Sequence, residues 1–231
     1  MKTLGLIGGM SWESSHVYYE LINKKVREIL GGFHSCKSIM LTVDFAEIEK
    51  LQHTGDWDAL DREMAAAAAS LEKAGADLII LCTNTMHLCS EAIVNHISVP
   101  FLHIAEATAM EIKNKKLNKV ALLGTRFTME KDFYKKILLD KYGIDVIIPE
   151  KEERDFIHRT IYEELVHGIL KDDSRKAIKK IIENLEKKGA QGAVLGCTEI
   201  PLLIKSKDVQ IPIFNTMEIH AAKAVEIIMV N

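Results

Sequence analysis

The sequence predicts an α/β protein built on mainly parallel sheets, and three observations carry that prediction. Continuous apolar runs alternate with amphipathic segments almost from end to end, as expected of strands buried on both faces by helices. Several of those runs close on glycine or on a small polar cluster, where strands of such sheets end. The pattern also restarts once near the middle of the chain.

Leu4–Gly8 is an apolar run closed by glycines, a first buried strand. Ser14 or Ser15 is placed to cap a helix whose apolar positions Tyr18, Leu21, Ile22, Val26 and Ile29 follow helical spacing, with Gly31-Gly32 as its stop. Ile39–Val43 is the next strand, followed by helices around 45–53 and 56–74, the second with an alanine-rich face. Asp77–Cys82 reads as a strand, Met86–His96 as a helix and Pro100–His103 as a short strand. KNKK at 113–116 is a solvated turn. The second series runs through a strand at Lys119–Gly124, a helix from about 128 to 142 and a strand at Ile144–Ile148. Helices near 152–169 and 173–188, strands at Gln191–Gly196 and Pro212–Phe214, and a helix near 216–229 complete it.

The restart is an internal repeat. KTLGLIGGMS at 2–11 matches NKVALLGTRF at 118–127, with Gly8 over Gly124. EKAGADLIILCTNT at 72–85 matches EKKGAQGAVLGCTE at 186–199, and ISVPFL at 97–102 matches VQIPIF at 209–214. Three matches in the same order at nearly constant spacing imply two similar α/β halves about an approximate two-fold axis. The expected division is residues 1–101 with 215–231 as one half and 102–214 as the other.

Composition narrows the function classes. The chain has 231 residues, 48% of them hydrophobic, and a net charge of −3 with no strongly basic block, so nucleic acid is not an expected partner. No apolar run approaches the ~20 residues of a membrane span, and the glycine-broken N-terminal run is too short for a signal peptide. The four cysteines form no CxxC pair, so reduced thiols in the cytoplasm are expected.

In open parallel sheets, ligands bind beyond the carboxyl ends of the strands. Three strand ends carry polar clusters: Gly8-Gly9-Met10-Ser11, Thr83-Asn84-Thr85 and Cys197-Thr198-Glu199. The repeat aligns Thr83 with Cys197, so a cleft between the halves is expected to hold a small molecule between them. Each cluster opens a predicted helix, whose free N–H groups suit a carboxylate and would lower a thiol pKa. Cys82 reads as structural, and Cys36 and Cys89 as structural or incidental. GLIGG lacks the GxGxxG spacing, and Asp44 lies well beyond the ~20 residues at which a ribose-binding acid follows it, so no cofactor is expected. His87 and His96 fit no metal-binding spacing, and His220 reads as helix packing, so no metal is expected either.

GLIGGMSWESSHVYYELIN, DFAEIEKLQHTGDW, the TNT motif after a buried strand, GCTEIP and the terminal helix together resemble the aspartate/glutamate racemase family over essentially the whole chain. The resemblance implies two pseudo-symmetric halves with the active site between them, no pyridoxal phosphate, and commonly a homodimer. It also implies one cysteine per half, taking and returning the Cα proton of an acidic amino acid from opposite faces. This chain departs from the pattern at one position. The usual CNT reads TNT, so Thr83 stands where the first cysteine is expected, while GCT keeps Cys197. Thr/Cys members resemble racemases specific for L-aspartate and L-glutamate. By that resemblance Cys197 is the base and Thr83 the opposite-face donor or relay, while Met10, Gln52, Asn84, Thr85, Thr198 and Glu199 contact the substrate. Gln52 falls where some members place a cation for the side-chain carboxylate; an exposed helix-end glutamine is an equal reading, with Arg126 or His167 as other sources of charge. Two alternatives stay open: decarboxylation or other Cα-proton chemistry on the same scaffold, as in arylmalonate decarboxylases and maleate isomerases, and a non-catalytic protein that binds acidic amino acids.

Overall fold

The computed structural model describes residues 1–230 and divides the chain into two compact units. The first comprises Met1–Ile104 together with the chain from His220 onward, and the second is Ala105–Ile219. In the first unit β1 (Leu4–Gly8) leads to α1 (Trp12–Leu30), β2 (Ser38–Thr42), α2 (Phe45–Thr54), α3 (Trp57–Lys73), β3 (Leu78–Leu81) and α4 (Ser90–His96). α5 (Ile104–Asn114) then runs into the second unit, where β4 (Lys119–Gly124), α6 (Arg126–Glu130), α7 (Asp132–Tyr142), β5 (Asp145–Ile147) and α8 (Lys151–Glu163) follow. α9 (Asp172–Lys187), β6 (Ala193–Gly196), α10 (Ile200–Leu203), β7 (Ile213–Asn215) and α11 (Thr216–Met229) close the order.

Each unit holds its own parallel sheet, ordered β2-β1-β3 in the first and β5-β4-β6-β7 in the second. The repeat in the sequence is therefore a repeat of topology. β1 and β4 are the central strands, and Phe101 makes a single parallel bridge to Ile79 where β7 makes a full pairing with β6. β1, β3 and β6 are buried along their whole length, which is why they read as unbroken apolar runs. Ile7, Ile79 and Leu81 pack with Leu60, Met64, Ala68 and Leu71 of α3 in the first unit. Leu123 and Leu195 pack with Ile157, Ile161, Ile178 and Ile182 of α8 and α9 in the second. A Cβ on Gly124 would lie 2.6 Å from the Gly196 carbonyl oxygen, so the paired ends of β4 and β6 require glycine's close approach.

Several boundaries differ from the sequence reading. Ser11, not Ser14 or Ser15, caps α1, its hydroxyl accepting from the Ser14 amide at 3.3 Å. Ser15 instead points inward, its Oγ accepting from the Gly9 amide at 2.8 Å and donating to the Ser11 carbonyl at 3.0 Å. The helix expected at Met86–His96 begins as a 3₁₀ turn, Thr85–Cys89, and only becomes α4 at Ser90. Pro100–His103 forms a bridge rather than a strand. The single helix from 128 to 142 is α6 and α7, and the one from 152 to 169 ends at Glu163, with a 3₁₀ turn at Leu165–His167. α5 has no counterpart in the sequence reading.

Three buried histidines lie in the first unit. The His87 and His103 ring centroids are 4.5 Å apart, and those of His87 and His220 are 5.7 Å apart. His220 Nε2 donates to the Leu102 carbonyl at 3.0 Å, and its Nδ1 accepts from the Tyr18 hydroxyl at 2.9 Å. Burial pulls His220 down to about 4. Between pH 6.5 and about 4 the unfolded chain therefore binds the proton that the folded chain refuses. The stability from keeping His220 neutral is complete above 6.5 and falls by about 3 kcal/mol as the pH drops toward 4. His87 is displaced in the same direction, chiefly by burial. Urea unfolding of wild type and His220→Gln at pH 7 and pH 4.5 checks this: the variant should lose less stability on acidification, and equal losses would refute it.

Candidate active site

In the first unit the parallel register sets Gly8 beside Thr42 and Ile7 beside Leu81, so the turns after β1, β2 and β3 leave one sheet edge. The Val43 amide donates to the Gly8 carbonyl at 3.1 Å and the Cys82 amide to the Ile7 carbonyl at 2.9 Å, which fixes those turns to the central strand. Gly9 sits at φ +102°, and a Cβ there would lie 2.2 Å from the Val43 carbonyl oxygen, so this position demands glycine. Met10 follows it, buried in the first unit's core. Thr83 is half-buried at the end of β3, with Asn84 and Thr85 buried after it. Cys82 is fully buried, and burial drives its thiol pKa far up, consistent with a structural thiol.

Gln52 is not an exposed helix-end residue. It is 5% exposed in the last turn of α2, and its Nε2 donates to Met86 Sδ at 3.0 Å, which brings it against the 3₁₀ turn that follows Thr83. Met10, Gln52, Thr83, Asn84 and Thr85 are thus all parts of the first unit.

In the second unit the ends of β4, β6 and β7 share an edge through the pairs Gly124–Gly196 and Leu195–Asn215. Cys197 is the first residue beyond β6 and is 6% exposed. Its Sγ donates to Glu199 Oε2 at 2.8 Å, and the Thr198 hydroxyl donates to the same oxygen at 2.7 Å. The backbone N–H groups of Glu199 and Ile200 favour the thiolate form of this sulfur. The expectation of a lowered thiol pKa is overturned. Burial, then the Glu199 charge and its hydrogen bond, hold the thiol well above its ordinary range, and the two amides oppose this only in part. α10 is four residues long, too short to supply the dipole that the sequence suggested.

The other sources of positive charge are engaged or remote from this edge in sequence. Arg126 pairs with Asp155 at 3.0 Å, and His167 is exposed in the 3₁₀ turn after α8. Among the described residues, no group of three or more His, Cys, Asp and Glu side chains is arranged to hold a metal ion, and no helix is long and apolar enough to cross a membrane.

Two polar groups escaped the sequence reading. His87 donates from Nδ1 to the Thr83 carbonyl at 2.8 Å; its i+4 spacing in TNTMH was the available signal. Asn215 ends β7 with its Oδ1 buried and making no hydrogen bond, and the ISVPFL/VQIPIF match already placed this stretch at a strand end.

A Yersinia pestis protein provisionally classed as an Asp/Glu racemase is 49% identical, covers 99% of this chain and 100% of its own, and superposes with a TM-score of 0.95. An aspartate racemase homologue from Pyrococcus horikoshii is 38% identical over 98% of this chain and 99% of its own, with a TM-score of 0.86. The broad specificity amino-acid racemase RacX of Bacillus subtilis is 29% identical over 164 residues, 70% of this chain and 69% of its own length. The profile of the Asp/Glu/hydantoin racemases matches residues 7–224. With a parallel sheet in each of its two units and a buried thiol at the end of β6, the chain belongs to the Asp/Glu/hydantoin racemase family, and its named relatives are amino-acid racemases.

Proposed function

We propose that this racemase acts on L-aspartate and L-glutamate without a cofactor, with Cys197 as the base and Thr83 as the opposite-face proton donor. The observation that carries the reading is the Cys197 thiol at the end of β6 bonded to a carboxylate at 2.8 Å. Glu199 Oε2 can take the thiol proton, and the Glu199 and Ile200 amides then stabilise the thiolate. The thiolate removes the Cα proton of the L-amino acid, leaving a carbanion whose charge spreads into the α-carboxylate. Thr83 Oγ–H delivers a proton to the other face. A threonine alkoxide has no accessible pKa, so Thr83 must be reprotonated by a relay as it delivers its proton. Because the two enantiomers are equal in free energy, kcat/KM is the same in both directions. The asymmetry of the pair shows as a lower kcat with a matching lower KM for the D form.

The family supports acidic amino acids as substrates, and the buried, neutral Gln52 supports recognition of the side-chain carboxylate by hydrogen bonding rather than by a cation. Asn84, Thr85 and Thr198 remain the proposed contacts to the α-carboxylate and ammonium, with Met10 offering backbone groups. A cytoplasmic homodimer belongs to the same reading.

Proton NMR of L-aspartate and L-glutamate in D₂O, with chiral chromatography, tests it. Wild type should lose the Cα–H signal and accumulate the D-enantiomer, whereas Thr83→Ala should still exchange the proton but invert about 10²–10⁴-fold more slowly. Binding of either amino acid with no exchange at all would favour the non-catalytic alternative, and CO₂ release would favour decarboxylation.

A further inference from the structure

His87 is fully buried in the 3₁₀ turn after Thr83, and both of its ring nitrogens are committed. The Ile104 backbone N–H points at Nε2 at 3.2 Å. A backbone N–H can only donate, so Nε2 is the acceptor and the ring proton sits on Nδ1. Nδ1 in turn lies 2.8 Å from the Thr83 carbonyl oxygen, which can only accept. The two bonds define one neutral tautomer. The surroundings agree: the rings facing His87 are His103, His220 and Phe101, and none of them is a carboxylate that would favour an imidazolium. His220 is fixed as the opposite tautomer by the Leu102 carbonyl and the Tyr18 hydroxyl. With their nitrogens spent on protein groups, His87 and His220 form a structural clamp rather than a metal site. Between them they hold the Leu102–Ile104 backbone at both ends, and His87 ties that backbone to the residue that carries the hydroxyl.

We propose that His87 is a positioning residue for the reaction: its Nδ1–H bond to the Thr83 carbonyl fixes the backbone of residue 83 and so aims the Thr83 hydroxyl at the carbon to be protonated. The inference rests on the racemase reading of Thr83 given above. His87 touches no substrate and moves no proton, so its loss should affect delivery from Thr83 and leave abstraction by Cys197 intact.

The test compares His87→Asn with His87→Gln in the full-length protein, using L-glutamate in D₂O. An asparagine amide can place its N–H where Nδ1 stood and keep the bond to Thr83, whereas a glutamine amide reaches the Nε2 position and leaves the Thr83 carbonyl without its donor. His87→Gln should invert about 10²-fold more slowly, the cost of a misplacement of about 1 Å, while Cα–H exchange and KM stay near wild type. His87→Asn should recover most of the inversion. Unchanged inversion in His87→Gln, or equal loss of exchange and inversion in both variants, would overturn the proposal. A wild-type protein that neither exchanges nor inverts would remove the racemase reading and this proposal with it, a result distinct from either of those. If neither variant folds, ¹⁵N-histidine NMR of the wild type decides: the Nδ1–H tautomer at His87 supports the clamp, and the Nε2–H tautomer refutes it.

Discussion

Replacing Cys197 with alanine should abolish Cα–H exchange and inversion together, at or beyond the upper end of the ~10²–10⁴-fold range for a positioned proton-transfer group. The residue is 6% exposed, its chain neighbours are Gly196 and Thr198, and the change removes a single sulfur from the edge of the second unit's core. The fold should therefore survive, with a melting temperature close to wild type as the control. The loss must appear in exchange as well as in inversion, because abstraction precedes delivery to either face. A variant that still exchanged the proton at a wild-type rate would place the base elsewhere. The reading would also fail if exchange persisted in Cys197→Ala and vanished in Thr83→Ala, since that would reverse the two roles.

The second large effect concerns the carboxylate beside the thiol. Glu199→Gln keeps the shape and the hydrogen-bonding reach but cannot hold the proton that Cys197 must lose, and turnover should fall about 10²-fold. The pH response carries the sharper signature. The Glu199 charge and its hydrogen bond both push the thiol pKa up, after burial. Removing the negative charge favours the thiolate, so iodoacetamide should alkylate Cys197 in the variant at lower pH than in wild type. The variant would then be more reactive toward an alkylating agent and less active as an enzyme. An alkylation profile shifted to higher pH, or unmoved, would show that Glu199 does not act on the thiol. The burial of the sulfur slows alkylation in both proteins, so the comparison is of midpoints rather than of rates.

Much of this was written in the order of residues, and the physical reason differs from one feature to the next. β1, β3 and β6 were legible because burial on both faces leaves unbroken apolar strings. The equivalence of Thr83 and Cys197 was legible because both follow the same stretch of the repeat, and the two sheets do share a strand order around β1 and β4. α5 was not legible. Ile104, Ala105, Ala107, Thr108, Ala109 and Ile112 are buried, so the buried positions spread well beyond one apolar stripe and only Glu106, Glu111, Lys113 and Asn114 mark a polar side. The start of α1 was misread because three serines crowd the turn, and only the inward rotation of Ser15 toward Gly9 leaves Ser11 to cap. Gln52 was ambiguous because its burial depends on Met86, distant in sequence. The thiol environment was the largest departure. Composition around Cys197 suggested helix amides, whereas the side chain of Glu199 folds back onto the sulfur, a rotamer choice that no spacing rule encodes.

The first unit is interrupted in sequence: its chain leaves at Ile104 and returns only at His220, whose ring bonds Tyr18 and Leu102. During synthesis the opening segment must therefore wait for all of Ala105–Ile219 to be made, on the order of 10 s at ~5–20 residues per second. The uninterrupted second unit is translated whole in that interval. Ribosome-bound chains stalled before α11 would expose Tyr18 and the Leu102 carbonyl, and this unfinished half is where chaperone capture and proteolysis would fall.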